Sequence, residues 1–143
     1  MIRFGVQGGG GNSRVKIQPM HIALNRIFDE CNGHHFETIE TFGIYFRIEG
    51  PIRTFGEEGP DCLEYLKENK ELGIDFVVPE NIWKQKDRQD LKIYFSQAIR
   101  DCFNILLEDA MRRGFVANKE KLVGDFNVKV EEFECLAFDD KAA

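Results

Sequence analysis

Alternating apolar and polar residues are most regular between residues 38 and 49. Successive side chains of an extended chain point to opposite faces, so this pattern predicts a half-buried strand. A shorter alternation at residues 2–6 predicts another strand. Gly50-Pro51 ends the longer strand, and residues 52–55 are expected to form a further strand after this break. The apolar side of the longest strand consists of Phe42, Ile44, Phe46 and Ile48.

Two structures are compatible with residues 61–79. Residues 62–68 suit one or two helical turns. Alternatively, Leu63 and Tyr65 face the apolar positions of 72–78 across a turn at 68–70. We favour the hairpin, because residues 74–78 are rich in β-branched and aromatic side chains. Pro79 then ends the second strand, since proline cannot donate to a strand ladder.

A helical pattern of apolar residues extends from about Asp87 to Arg113. Acidic residues at its start and basic residues at its end oppose the helix dipole, and Gly114 occupies the usual position of a terminating glycine. The sequence therefore predicts one long helix. Trp83 in the preceding connection either contributes to a protein interface or fills the bottom of the core, and we favour the core. The apolar stripe consists of Leu91, Tyr94, Phe95, Ala98, Ile99, Cys102, Phe103, Leu106 and Ala110.

A shorter helix is expected from Pro19, with a stripe of Ile22, Ala23, Ile27 and Phe28, ending at Asn32-Gly33. Residues 126–130 alternate and are expected to form a closing strand. Strands in the middle of the chain with helices around them predict an α+β fold. We expect a mainly antiparallel sheet packed against one long and one shorter helix, in a single domain of residues 1–143 with an acidic, flexible tail from about 137.

Composition is that of a globular chain, with 43% hydrophobic and 31% charged residues. Apolar stretches such as 105–107 are far shorter than the roughly 20 residues that a membrane span requires. The first residues lack the pattern of a signal peptide, so we expect a cytoplasmic protein. The four cysteines form no Cys-x-x-Cys pair, which favours free and mostly buried thiols.

The net charge of −6 comes from two acidic segments, residues 36–90 and 125–143. If these segments adjoin, they form one negative surface, although an acidic exterior also simply keeps a protein in solution. Such a surface disfavours nucleic acid and membrane surfaces as partners, and it attracts basic proteins.

No catalytic motif accompanies the nucleophiles. Ser13 lacks the Gly-x-Ser-x-Gly turn of a hydrolase, and solvent exposure on the long helix explains Ser96. Paired carboxylates are abundant, but no pair stands out as a candidate for acid-base chemistry. We therefore expect no enzymatic activity, no cofactor and no resident metal.

A second hypothesis is a small ligand- or metal-binding domain or enzyme. The glycine run from Gly8 to Gly11 lacks the Gly-Lys-Ser/Thr ending of a phosphate loop, and a mobile, hairpin-like connection explains it better. Cys31, His34 and His35 form a compact group without a second ligand pair, and zinc needs three or four ligands.

The order of several segments resembles small immunity proteins encoded beside bacterial polymorphic and contact-dependent toxins. These segments are residues 42–50, 55–59 and 74–79, then Trp83-Lys84, then the long helix, so the resemblance covers about residues 40–115. It implies a non-enzymatic cytoplasmic protein that binds and neutralises the C-terminal domain of one cognate toxin, often a nuclease. Because the toxin-binding surfaces of immunity proteins differ, the resemblance assigns no functional residue.

Acidic turns and the polar side of the longest strand are the expected contact sites for such a toxin. Carboxylates there would take the place of substrate phosphates, and tyrosine and arginine are common at the centres of protein interfaces. A third hypothesis is a structural subunit that forms a homodimer through a sheet edge or a helix. The expected partner-binding residues are Tyr45, Arg47, Glu57, Glu58, Asp61 and Glu80.

Overall fold

The structure is a computed structural model and describes residues 1–8, 11–29, 35–49 and 57–138. Strands come mainly from the first half of the chain, and the longest helix comes from the second half. The predicted strand at 52–55 and the residues beyond 138 lie outside the described residues. The described elements are β1 (Ile2–Gly8), α1 (Gly11–Phe28), β2 (Thr41–Ile48), β3 (Gly59–Leu66), β4 (Glu71–Val78), α2 (Glu80–Gln85), α3 (Arg88–Arg113) and α4 (Lys119–Glu134).

The four described strands form one mixed sheet in the order β1-β2-β4-β3. β1 pairs with β2 and β2 with β4 in parallel, whereas β3 and β4 are antiparallel. The α+β class is confirmed, but the prediction of a mainly antiparallel sheet is wrong. The physical reason is that α1 connects β1 to β2. A helical connection of this kind returns the chain to the end of the sheet where β1 began, so β2 can run parallel to β1.

The hairpin expected within residues 61–79 is confirmed. Leu63 pairs with Ile74 and Tyr65 with Leu72, as the apolar pattern required. The turn is a single 3₁₀ turn, Lys67–Asn69, closed by Lys70 in the left-handed conformation with φ of 51°.

The long helix is also confirmed, as α3. Asp87 caps its start by accepting a hydrogen bond from the Asp90 backbone N–H at 2.8 Å. Gly114 ends it with φ of 75°, a conformation in which a Cβ would be strained. Except for the half-buried Tyr94, the predicted apolar stripe is fully buried. The expectation that Ser96 is exposed is wrong, because it is buried on the same helix.

The expected strand at 126–130 is wrong, because these residues lie within α4. Phe126 and Val130 are buried one helical turn apart, whereas Val128 is 61% exposed. A five-residue alternation cannot distinguish the two structures, since positions i and i+4 share a face in both. Asn118 caps the helix through its side chain. The Lys92 ammonium of α3 donates to the carbonyl oxygens of Glu134 and Leu136 at its end.

α1 begins at Gly11 rather than at Pro19, so the proline lies inside the helix. Its buried side includes Ile17, Met20 and Leu24, while the predicted core residue Ile22 is 47% exposed. Ile27 and Phe28 of the predicted stripe are buried, so the prediction is right for these two residues and wrong for Ile22. The expected helix end at Asn32-Gly33 lies outside the described residues.

The described helices pack against one face of the sheet and share one core with it. Apolar side chains of β1, β2 and β4 meet those of α1, α3 and α4 there, and Trp83 packs partly buried against the same core. The rings of Phe103 and Phe126 stack at 3.8 Å between α3 and α4. The single domain of residues 1–143 and its flexible tail stay predictions. The opposite face of the sheet, which we call the outer face, carries the polar side chains of the strands.

Candidate functional site

The outer face is formed by the alternate residues that point away from the helices. Tyr45 and Arg47 lie on it in β2, where the sequence pattern placed them. Strand pairing sets Tyr45 beside Asp75 and Gly43 beside Gly73, so β2 and β4 present these residues in adjacent rows. β1 adds Gly5 opposite Tyr45. The centre of the sheet is thus polar on one side and apolar on the other.

The ring of Tyr45 lies on a floor of glycines. A Cβ added at Gly5 would come within 2.5 Å of the ring, and one at Gly43 within 2.7 Å. Gly73 is slightly farther, at 3.4 Å. One face of the ring therefore packs on backbone that only glycine leaves accessible, and the ring is held flat against the sheet.

A buried carboxylate fixes the other end of Tyr45. The Tyr45 hydroxyl donates a hydrogen bond to Glu71 Oε1, and Glu71 is only 5% exposed. Burial, reinforced by the hydrogen bond to Glu71 and the negative charge of that residue, raises the pKa of Tyr45 to about 12. The hydroxyl therefore stays protonated at neutral pH and remains a donor to the carboxylate.

Arg47 and Asp75 form an ion pair on the same face. The guanidinium Nη2 lies 2.6 Å from Asp75 Oδ2, and the side chains are 32% and 13% exposed. Asp75 therefore lies deeper than its partner. The pair holds the Arg47 side chain along the sheet, next to Tyr45.

These residues line a groove of about 310 Å³ that crosses the outer face. Its lining carries three carboxylates, Glu64, Glu71 and Asp75, and one guanidinium, that of Arg47. The charge of Arg3 on β1 also acts on Tyr45, so three carboxylates stand beside two guanidiniums, and the remaining negative charge suits a cationic group. The complete lining is Gln7, Tyr45, Arg47, Cys62, Glu64, Leu66, Asn69, Glu71, Gly73 and Asp75.

The other four predicted contact residues lie outside the groove. Glu57 and Asp61 are exposed around the start of β3. Glu58 accepts a hydrogen bond of 2.8 Å from the Tyr94 hydroxyl of α3, and burial together with this contact raises the pKa of Tyr94. Glu80 begins α2 and pairs with Lys84 at 2.5 Å. The structure therefore joins Tyr45 and Arg47 in one site and leaves the acidic turn residues apart from them.

Glu64, Glu71 and Asp75, the acidic residues of the groove, are not among the contact residues expected from the sequence. The sequence pattern could have identified two of them, because Glu71 and Asp75 alternate with the apolar residues of β4 and so lie on its polar side. Their proximity to Tyr45 could not be read in the same way, since it depends on the parallel pairing of β2 with β4.

The alternative site around the glycine run and the histidines is only partly described. Cys31, His34 and the two central glycines lie outside the described residues. Gly8 ends β1 and Gly11 begins α1, so the run joins a strand to a helix rather than forming a hairpin-like connection. His35 is buried, and its Nε2 lies 2.9 Å from Asp125 Oδ2.

The described residues also bear on metal binding and on membrane insertion. It contains no group of three or more His, Cys, Asp or Glu side chains arranged to hold a metal ion. None of the described helices combines the length and apolar character that crossing a membrane requires.

The described cysteines agree only in part with the prediction of mostly buried thiols. Cys102 is buried, which raises its pKa to about 12 with help from the charges of Asp101 and Asp75. Cys62 and Cys135 are exposed, so the expectation of mostly buried thiols is wrong for these two.

No protein-family model, curated protein or solved structure matches this chain.

Proposed function

We propose that this protein is an immunity protein that binds a toxin domain, most simply a nuclease, and neutralises it through the outer face of its sheet. The observation that carries the proposal is the acidic groove around Tyr45, Glu71 and Asp75. It combines negative charge with an aromatic ring and a guanidinium on a surface that the described helices leave uncovered.

The charge of the groove supports a basic partner. Nuclease clefts bind phosphates through lysine and arginine, and carboxylates presented at the same spacing compete for those cations. Complementary charge also speeds association, which matters for a protein that must meet a toxin before the toxin meets its substrate. The exposed carboxylates of Glu57 and Asp61 add to the negative field without belonging to the groove.

The rigidity of the groove supports a binding role as well. Tyr45 is held by glycines on one face and by Glu71 at its hydroxyl, and Arg47 is held by Asp75. Side chains that are ordered before binding lose less conformational entropy in the complex. Tyrosine and arginine are also the residue types that most often dominate binding energy at interfaces.

Co-expression with the C-terminal domain of the protein encoded by the neighbouring reading frame tests the proposal. We expect a stable complex of fixed stoichiometry and restored growth of cells that produce the toxic domain. The variant Asp75→Lys should lose most of this protection while remaining folded by circular dichroism. The matched control is Glu120→Lys, the same charge reversal at an exposed position in the first turn of α4.

Two results would count against the proposal. Without complex formation or growth rescue by the wild-type protein, the toxin-binding function is wrong. If Asp75→Lys and Glu120→Lys protect equally well, the partner binds elsewhere than on the outer face.

A further inference from the structure

The negative charge of the groove is concentrated where solvent is partly excluded. Glu71 is 5% exposed, and the Asp75 side chain is 13% exposed. The Tyr45 hydroxyl donates to Glu71 Oε1, and a carboxylate can accept several hydrogen bonds. Glu64 adds a third carboxylate on the β3 side. Charges in such a position interact more strongly with a cation than charges in bulk water do.

The aromatic ring beside these carboxylates offers a second kind of contact. One face of the Tyr45 ring is covered by Gly5, Gly43 and Gly73, so its other face is turned to the groove. A cation placed over that face gains from the quadrupole of the ring, and arginine uses this contact more often than lysine does. The ring cannot turn away, because the glycine floor and Glu71 hold it.

The groove already accommodates one guanidinium. Arg47 reaches Asp75 with a separation of 2.6 Å, which shows that a planar guanidinium fits against the carboxylates of this face. The volume of about 310 Å³ is at the small end of ligand pockets and suits one inserted side chain.

We infer that the groove receives an arginine side chain of the partner protein, stacked on Tyr45 and hydrogen-bonded to Glu71 with help from Glu64. This inference rests on the proposed function for the identity of the partner, but the groove's preference for a guanidinium is a property of this chain alone. A planar fork of N–H donors matches a carboxylate in two bonds at once, whereas a lysine ammonium is a point charge that lacks this match.

A nuclear magnetic resonance titration of the isolated protein tests the inference without the partner. The probes are three end-blocked tripeptides, Gly-X-Gly, in which X is arginine, lysine or citrulline, the uncharged analogue of arginine. We expect the arginine peptide to shift the backbone amides of Gly43, Tyr45 and Asp75. Its affinity should exceed that of the citrulline peptide by about tenfold or more, because citrulline carries no charge.

Conservative variants make the test specific to the groove. Glu71→Gln keeps an oxygen that accepts from Tyr45 and so preserves the fold, yet it should weaken binding of the arginine peptide several-fold. The control Glu120→Gln removes an equal charge from exposed α4 and should leave binding unchanged.

The outcomes separate the inference from the proposed function. Lysine and arginine peptides of equal affinity, or shifts outside the groove only, would overturn the inference even if the protein protects cells from the toxin. Groove shifts with the arginine peptide would uphold the inference as a property of this chain even if no toxin domain binds.

Discussion

Single residues decide whether the outer face can hold its groove. Tyr45 can lie flat because the residues beneath it lack a Cβ, and its hydroxyl donates to the buried carboxylate of Glu71. The alternation in the sequence indicated that Tyr45 and Arg47 lie on the solvent side of their strand. It could not indicate the glycine floor, because Gly5, Gly43 and Gly73 come from three strands whose register the local pattern does not determine.

Gly43 and Gly73, which lie side by side on β2 and β4, form a matched pair for testing this arrangement. Gly43→Ala would place a Cβ within 2.7 Å of the Tyr45 ring and against the Glu71 carboxylate. We expect it to lower the free energy of unfolding by about 1–3 kcal/mol, as overpacking does. In Gly73→Ala the nearest ring atom is 3.4 Å away, so the loss should be clearly smaller. Urea denaturation measures both, and equal losses would contradict the packing described for Tyr45.

At the scale of secondary-structure elements, helix α1 protects the free edge of strand β1. The Phe4 backbone N–H donates to Asn25 Oδ1 at 3.0 Å, and Asn25 Nδ2 donates to the Phe4 carbonyl oxygen at 2.9 Å. His21 Nε2 lies 2.8 Å from the same oxygen and must be the donor, since a carbonyl only accepts. The Asn25 carboxamide thus makes the hydrogen bonds that a neighbouring strand would make. This obstructs dimerisation through this part of the edge.

Replacing Asn25 by leucine tests the edge protection. The change keeps a side chain of similar size but leaves the Phe4 N–H without its partner, so we expect a loss of about 1–3 kcal/mol in the free energy of unfolding. Arg26→Leu, at the exposed neighbouring position, should change it by less than about 0.5 kcal/mol. Chemical denaturation gives both values. If the two variants lose the same amount, the Asn25 contacts do not stabilise the edge.

The elements differ in how far the sequence could predict them. The β3–β4 hairpin and α3 were predictable, because each has a long apolar pattern with turn or capping residues at its ends. The short alternation at Phe126, Val128 and Val130 suited both a strand and a helix, and packing against α1 and α3 selected α4. The parallel pairing of β1, β2 and β4 depends on contacts between distant segments, so the groove could not be predicted from local pattern.

The whole molecule has two unlike sides. The carboxylates of the groove come from the acidic segment 36–90, whereas the described acidic residues of the second segment lie mainly on α4, which packs on α1 and α3. The two segments therefore do not combine in the groove. The helical side also exposes isolated apolar residues, including Ile93 and Val128, each 61% exposed. If the protein acts through its outer face, the partner must bind that face and leave the helical side free.

A cross-saturation measurement on the complex tests that requirement most directly. The isotope-labelled protein is bound to the unlabelled toxin domain, and the amide signals that lose intensity mark the interface. We predict that the loss is centred on Gln7, Tyr45 and Asp75 of the outer face, while Ile93 and Val128 keep their signals. A loss confined to α3 and α4, with the amides of the groove unaffected, would contradict the assignment of the outer face as the binding surface.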